Sequence, residues 1–182
     1  MRGGNQAVGR SGEPEQQQDY IEPLGEHNRA AFSCGCGVLD NYLKTQATQD
    51  ARKDAAVPFA LIETASGRLI GYYTLSSTGI NLDGLPEEVA KKLARYPTVP
   101  ATLLGRLAVD ENHQGQRLGE HLLMDALHRS LRNSKEVAST AVIVDPINGK
   151  AKTFYEKYEF VAFGDDERMY LLMKSIKKLF AD

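Results

Sequence analysis

Two stretches of the chain carry residue types and spacings that could do chemistry. The first is Gln114-Gly115-Gln116-Arg117-Leu118-Gly119-Glu120, a polar turn with two glycines that runs directly into an apolar pattern at helical spacing. The first turn of a helix has backbone N–H groups without internal partners and a partial positive charge from its aligned peptide dipoles. Glycines there let a ligand approach the backbone, so the junction is a seat for an anion, and a phosphate or pyrophosphate is the natural guest. The second stretch runs from Asn148 to Phe160 and contains the pair Phe154-Tyr155. Neighbours on a helix point about 100° apart, so if Phe154 enters the core, Tyr155 can turn its phenol into an adjacent cleft. A phenol with a pKa of ~10 keeps its proton at neutral pH and can give it to a leaving group.

Other readings of the glycine loop fail on spacing. A dinucleotide fingerprint sets its glycines directly after a strand, whereas these follow several residues later. A nucleoside triphosphate loop ends in Gly-Lys-Ser or Gly-Lys-Thr, and here Gly119 is followed by Glu120. Glycines before a helix are also common punctuation, so the loop gains weight only beside the second motif. Cys34 and Cys36 are separated by one glycine, which allows only a strained disulfide and half of a four-ligand zinc site; no metal is predicted. Candidate general bases are Glu63, Asp110 and His113.

The elements that must position these residues can be read from periodicity. Leu118, Leu122, Leu123, Ala126, Leu127 and Leu131 make one apolar stripe, predicting a helix behind the loop. Before it lies a strand, Ala101 to Asp110, and after it Val137 to Val144 reads as a strand covered on both faces. A right-handed crossover makes these two strands parallel neighbours. Upstream, a short edge strand begins near Tyr20 to Leu24, and His27 to Asp54 is one helical region broken at Gly35 to Gly37. Val57 to Ile62 and Arg68 to Thr78 pair antiparallel across Thr64-Ala65-Ser66-Gly67, and Leu82 to Arg95 reads as a short amphipathic helix. Downstream come the helix Asn148 to Tyr158 and a hairpin of Phe160 to Phe163 with Met169 to Met173. The expectation is one α/β domain, residues 20–182, with a mixed central β-sheet flanked by helices. Residues 1–19, rich in Gly, Gln, Glu and Ser, are expected to be a disordered tail.

Taken together, Gln114 to Gly119 and Asn148 to Phe160 resemble the acyl-CoA signature and the Asn…Phe-Tyr helix of the GNAT acetyltransferase superfamily. Gln114 and Gly119 fill the outer positions of the loop signature, while Arg117 stands where its middle glycine is expected. The resemblance spans roughly Tyr20 to Met173. It implies a GNAT fold in which the parallel strands splay apart and acetyl-CoA is the co-substrate. Its pantetheine arm would lie along Leu107, Ala108 and Val109, with Leu107 and Val109 offering backbone groups. Its pyrophosphate would sit on Gln114, Gly115, Gln116, Arg117, Leu118, Gly119 and Glu120, with Asn148 opening the facing helix. Tyr155 matches the family's general acid for the departing thiolate.

Within the superfamily, Phe32-Ser33-Cys34-Gly35, Leu39-Asp40-Asn41-Tyr42-Leu43 and Gly105 to Asp110 resemble one branch, the acetyltransferase toxins of type II toxin–antitoxin pairs. The resemblance implies acetylation of the amino group of aminoacyl-tRNA, a block of translation, and a ribbon-helix-helix antitoxin that forms a DNA-binding repressor with the toxin. A homodimer is a further expectation. The net charge is −2, and up to Glu26 acidic residues outnumber basic ones five to two, so any tRNA surface must be local. Lys44 with Lys91, Lys92 and Arg95, or Lys150 with Lys152, are the candidates, and solvated helix faces explain each cluster equally well. No apolar run is long enough to span a membrane and no secretory signal opens the chain, so a cytoplasmic protein is expected. Two alternatives remain open: an acetyltransferase for a small-molecule or protein amine, and a non-catalytic acyl-CoA-binding module.

Overall fold

The computed structural model describes residues 18–164 and 167–181. Residues 1–17 of the expected tail lie outside them, as do Asp165 and Asp166, where the sequence places the turn of the last hairpin. Gln18 and Asp19, grouped with the tail by composition, are bonded to the first hairpin: Thr64 donates its hydroxyl to Gln18 O (2.8 Å) and its N–H to Asp19 Oδ1 (3.1 Å).

Among the described residues seven strands form one sheet: β1 Tyr20–Pro23, β2 Val57–Glu63, β3 Arg68–Asn81, β4 Thr98–Val109, β5 Ala141–Val144, β6 Val161–Ala162 and β7 Met169–Leu172. Their spatial order is β1-β2-β3-β4-β5-β7-β6. All neighbours are antiparallel except β4 and β5, which are parallel. The helices are α1 Gly37–Asn41, which runs through a π-helical turn at Tyr42–Gln46 into α2 Ala47–Arg52, then α3 Glu87–Ala90, α4 Leu118–Asn133, α5 Gly149–Lys157 and α6 Met173–Leu179.

Alternation along the strands builds cores on both sides of the sheet. Leu122, Leu123 and Leu127 of α4 bury against Leu104, Val142 and Val144, with Tyr155 and Ile176 in the same cluster. Burying each of those leucines contributes about 1.5–3 kcal/mol. The alternate strand residues Ala60, Tyr72 and Ala108 receive Phe32, Tyr42, Leu43 and Ala47. A third cluster joins Leu85 to Ile80, Val99, Ile143 and Phe163.

Three elements differ from the sequence expectation. The Leu82 to Arg95 helix is reduced to a 3-10 turn, Leu82–Gly84, and the single turn α3. After α3, Lys92 and Leu93 N–H groups bond three residues back instead of four, and Pro97 follows, a residue whose ring forbids a helix just before it. The Val137 to Val144 strand begins only at Ala141. Residues after α4 continue its turns, with Val137 N–H on Asn133 O (2.8 Å), and Val137 stays exposed. The first helical region starts at Gly37, past Gly35, whose φ of 83° no helix accommodates.

Two features of β4 open the sheet at its centre. Its pairing with β5 covers only Thr102 to Leu104 against Val142 to Val144, and β4 then runs five residues further without that neighbour. At the same place the ladder with β3 slips: Thr74 faces Arg106 and Leu75 faces Leu104, leaving Gly105 as a bulge. The extra residue reverses the alternation. Beyond it, Leu107 and Val109 join the α4 side, while Ala108 joins the α1–α2 side and Arg106 lies over the ring of Tyr42.

Candidate functional site

Where β4 and β5 part, a cleft of about 450 Å³ opens between the starts of α4 and α5. That volume lies within the usual range for a small-molecule site. One wall is Leu107, Ala108 and Val109; the second is Gln114, Gly115 and Arg117 to Glu120; the third is Asn148, Ala151, Tyr155 and their helical neighbours. The two motifs of the sequence thus meet across the gap between the parallel strands. Gln116, expected with the loop, is exposed and does not line the cleft.

The backbone of β4 can be oriented from its bonds. Asp110 N–H donates to Ile70 O on β3 (2.8 Å), and peptide groups alternate sides along a strand. The N–H groups of Leu107 and Val109 therefore point away from β3, toward the cleft. Val109 O takes a hydrogen bond from Gln114 Nε2 (3.0 Å), which agrees with that direction. The same amide donates to Cys34 O (3.0 Å), so the Gln114 side chain braces the cleft wall against the loop before α1.

Arg117 is the residue before α4, with φ 60° and ψ 21°, a left-handed conformation. Glycine adopts it without steric cost, which is why a glycine suits this position; a side chain here costs about 1–2 kcal/mol. The guanidinium turns outward onto Glu120, with Nε donating to Oε2 at 2.8 Å, and this bond holds the Glu120 carboxyl below its usual range. No side chain caps α4, so its opening N–H groups face the cleft unpaired by a cap. Gly115, φ 82°, has open space where a Cβ would stand, and a Cβ at Gly119 would sit 3.7 Å from the Phe154 ring, on the cleft floor. A diphosphate fits this donor set. On the facing helix, Asn148 Oδ1 accepts from Ala151 N–H (2.9 Å) and fixes the start of α5.

Tyr155 is 7% exposed, with its ring against Phe154 (5.2 Å between centroids) and Phe160 (5.3 Å). Its hydroxyl has no hydrogen-bond partner among the described residues, yet it is not a sealed, orphaned atom. The oxygen therefore meets the cleft while the ring meets the core. Burial pushes the phenol well above its ordinary pKa, so it holds its proton across the neutral range.

The three candidate bases come together, but with one another. His113 lies 3.2 Å from Glu63 Oε1 and 3.3 Å from Asp110 Oδ1, and none of the three lines the cleft. Asp110 is fully buried; burial opposes its ionisation, but the Ser33 and Asn112 N–H groups and His113 outweigh it and hold the carboxyl below its usual range. Through Ser33, this cluster straps the loop before α1 to the end of β4. Of the lysine candidates, Lys150 lines the cleft, while Lys44, Lys91, Lys92, Arg95 and Lys152 are at least partly exposed away from it; Lys91 pairs with Glu87 at 2.8 Å.

Sequence reasoning missed several cleft residues. Tyr158 could have been found, because it lies three positions from Tyr155 on the same helix. Cys34, Cys36 and Leu39 could not, since a fold contact brings them from the chain's other end. Burial, with help from Asp40, pushes the Cys34 thiol up to about 12, and its Sγ is 3.6 Å from Cys36 O. Among the described residues no group of three or more His, Cys, Asp or Glu side chains is arranged to hold a metal ion.

Comparison with known proteins places this geometry. The family model described as an acetyltransferase (GNAT) domain matches residues 59–162. The chain is 32% identical over 153 residues to a tRNA-acetylating toxin of Mycobacterium tuberculosis, covering 84% of this chain and 90% of that one. Among solved structures, a tyrosine-to-phenylalanine mutant of KacT is similar with a TM-score of 0.84 and 31% identity, over 90% of this chain and all of its own, 100%. AtaT complexed with acetyl-methionyl-tRNAfMet is similar with a TM-score of 0.83 and 29% identity, over 90% and 100% of the two chains. AtaT has also been solved with the C-terminus of the antitoxin AtaR and acetyl-CoA, and both AtaT–AtaR and KacTA have been solved on DNA.

Proposed function

Because the chain belongs to the GNAT acetyltransferase family, we propose that it moves an acetyl group from acetyl-CoA to the amino group of an aminoacyl-tRNA and so acts as a toxin on translation. The observation that carries this reading is the likeness, over nine-tenths of the chain, to AtaT in complex with its acetylated tRNA. Acetyl-CoA suits the cleft: the diphosphate on Gly115 and the start of α4, the pantetheine amides on Leu107 and Val109, the thioester beside Tyr155.

In this mechanism the neutral amine attacks the thioester carbon. The carbonyl oxygen becomes an oxyanion and is met by the Val109 N–H, a donor fixed before the reaction begins. The carbon–sulfur bond then breaks, and the Tyr155 hydroxyl gives its proton to the leaving thiolate; the proton shed by the attacking nitrogen passes to water, from which the Tyr155 phenolate regains its own. Glu63, Asp110 and His113 lie outside the cleft and the Glu120 carboxylate in its wall is bound to Arg117, while an aminoacyl ester amine, less basic than a free α-amine at pKa ~8, is largely neutral without a base.

The partner in this reading is a small antitoxin of ribbon-helix-helix type that represses DNA together with the toxin, and the toxin itself is a homodimer; the AtaT and KacT complexes support the antitoxin and DNA parts. Lys44, Lys91, Lys92, Arg95, Lys150 and Lys152 supply local positive charge for the tRNA. No helix among the described residues is long and apolar enough to cross a membrane. A site of action in the cytoplasm, where charged tRNA is found, completes the proposal.

The test is direct. Protein incubated with charged tRNA and labelled acetyl-CoA should place the label on the amino group of the attached amino acid. Label on polyamines or protein lysines alone would replace this reading with one of a metabolic or protein acetyltransferase.

A further inference from the structure

On the sheet face opposite α4, one cation is built in and left unused. The Arg106 guanidinium lies flat over the Tyr42 ring, 3.5 Å from its centroid, and Tyr42 stacks in turn on Tyr72 at 6.3 Å and 16°. Both phenols are tied down, Tyr42 to Asp50 Oδ2 (2.9 Å) and Tyr72 to Leu39 O (2.7 Å), so the stack is rigid. Asp50 is the nearby carboxylate that would ordinarily take an arginine, but its oxygens are occupied by the Tyr42 hydroxyl and the Gln46 amide. Among the described residues, Arg106 makes no hydrogen bond and no ion pair, and it is only partly exposed. The guanidinium rests on the Tyr42 ring and its charge is felt by Asp50, but no acceptor among the described residues takes its N–H donors, which stay available to another group.

Three local departures from regular structure serve this placement. The Gly105 bulge turns Arg106 to the α1–α2 face, the π-helical turn begins at Tyr42 beneath it, and pairing with β5 has stopped two residues earlier. π-turns and bulges cost stability and gather at functional sites. Arg106 therefore stands at the edge of the opening between β4 and β5, next to Leu107 in the cleft wall but on the other face of the sheet.

We propose that Arg106, held on Tyr42, binds a phosphate of the unpaired 3′ end of the tRNA and so positions the aminoacyl ester at the opening. A flat guanidinium with five free N–H donors matches a phosphate in a two-point contact, and stacking fixes its plane in advance. The inference rests on the aminoacyl-tRNA reading and adds to it the residue that tells a nucleotide-borne amine from a free one.

The experiment uses the full chain, with Arg106→Met and Arg106→Lys, and three acceptor-side readings. With charged tRNA, Arg106→Met should raise KM about 10- to 100-fold while kcat and acetyl-CoA affinity change little. The slope of log KM against log salt should fall by about 0.7, one single-strand phosphate contact. With a phosphate-free amino-acid methyl ester, mutant and wild type should transfer alike. Arg106→Lys, which keeps the charge and most of the stem, should retain the salt slope but recover KM only in part, and it serves if the Met variant fails to fold. An unchanged KM and salt slope for charged tRNA, an equal loss on the methyl ester, a loss of acetyl-CoA affinity, or full recovery by Lys each overturns the inference while leaving tRNA acetylation standing. A wild-type protein that labels the ester but no charged tRNA overturns both.

Discussion

Tyr155→Phe separates chemistry from architecture in this cleft. The substitution removes one oxygen that has no hydrogen-bond partner among the described residues, and it keeps the ring against Phe154 and Phe160. No buried partner is orphaned, so stability should move by no more than about 0.5 kcal/mol. Acetyl-CoA affinity should hold as well, because the diphosphate and pantetheine contacts assigned to α4 and β4 are untouched. Loss of a general acid typically costs about 10²- to 10⁴-fold in rate, or roughly 3–5 kcal/mol in the barrier. Burial raises the Tyr155 pKa, so the wild-type phenol should supply its proton throughout the neutral range, with no acid-form loss below about pH 10. The assay pairs calorimetric acetyl-CoA affinity with single-turnover transfer on both proteins. If transfer by the mutant stays within a few-fold of wild type, Tyr155 is a packing residue and the thiolate leaves without it.

Gly119→Glu should abolish acetyl-CoA binding by calorimetry while the protein still folds, since a Cβ there makes only ordinary contact with Phe154 but the carboxylate enters the anion seat; Gly119→Ala should retain most of the affinity. Asp110→Ala should cost about 1–3 kcal/mol in urea unfolding, because it empties a buried carboxylate position and leaves the Ser33 and Asn112 N–H groups without their part-buried acceptor. The Asp110 pKa is lowered in the folded state, so its stabilisation is present above the unfolded carboxylate range near ~4 and is lost as pH falls, and the gap between mutant and wild type should narrow in acid. Arg117→Gly should relieve the left-handed strain of about 1–2 kcal/mol, offset in part by about 0.5–1 kcal/mol of chain entropy and an exposed ion pair; thermal unfolding should show a small gain or no change, and a large loss would refute the strain.

Much of this was legible in the chain because the signals were local. The α4 stripe and the Asn148 cap depend on spacing within one helix, and the structure follows them; the Phe154-Tyr155 pair is reversed, since Tyr155 is the one buried in the core while Phe154 is half-buried against it, and both line the cleft. Leu82 to Arg95 failed for an equally physical reason: its acidic start and basic end suit a helix, but after Ala90 the Lys92 and Leu93 N–H groups bond three residues back, and the turn tightens out of the α pattern before Pro97. Val137 to Val144 looked like a continuous strand because hydrophobicity does not record where the previous helix finishes its last hydrogen bonds. Gln114 illustrates a different limit. Its place in the loop signature was visible, while its side chain's use as a brace between Cys34 O and Val109 O depends on a contact 80 residues distant in sequence.

The most consequential feature left no periodic trace. Counted through Gly105 without interruption, alternation puts Arg106 on the same side as Leu104, under α4, and turns Leu107 and Val109 toward α1–α2. The bulge at Gly105 inverts both assignments at once. A Cβ on Gly105 would stand 3.0 Å from Thr74 Oγ1, so the residue that allows the slip also has little room for a side chain. One extra residue therefore lets a single strand serve two sides: Leu107 and Val109 face the α4 side, while Ala108, also at the cleft, and Arg106 on Tyr42 lie toward α1–α2. Because β5 ends its pairing at Leu104, the two sides are joined by an opening and not sealed by a ladder. In the proposed reaction, a donor on one face and an acceptor on the other would then meet at the strand edge, beside the Tyr155 hydroxyl.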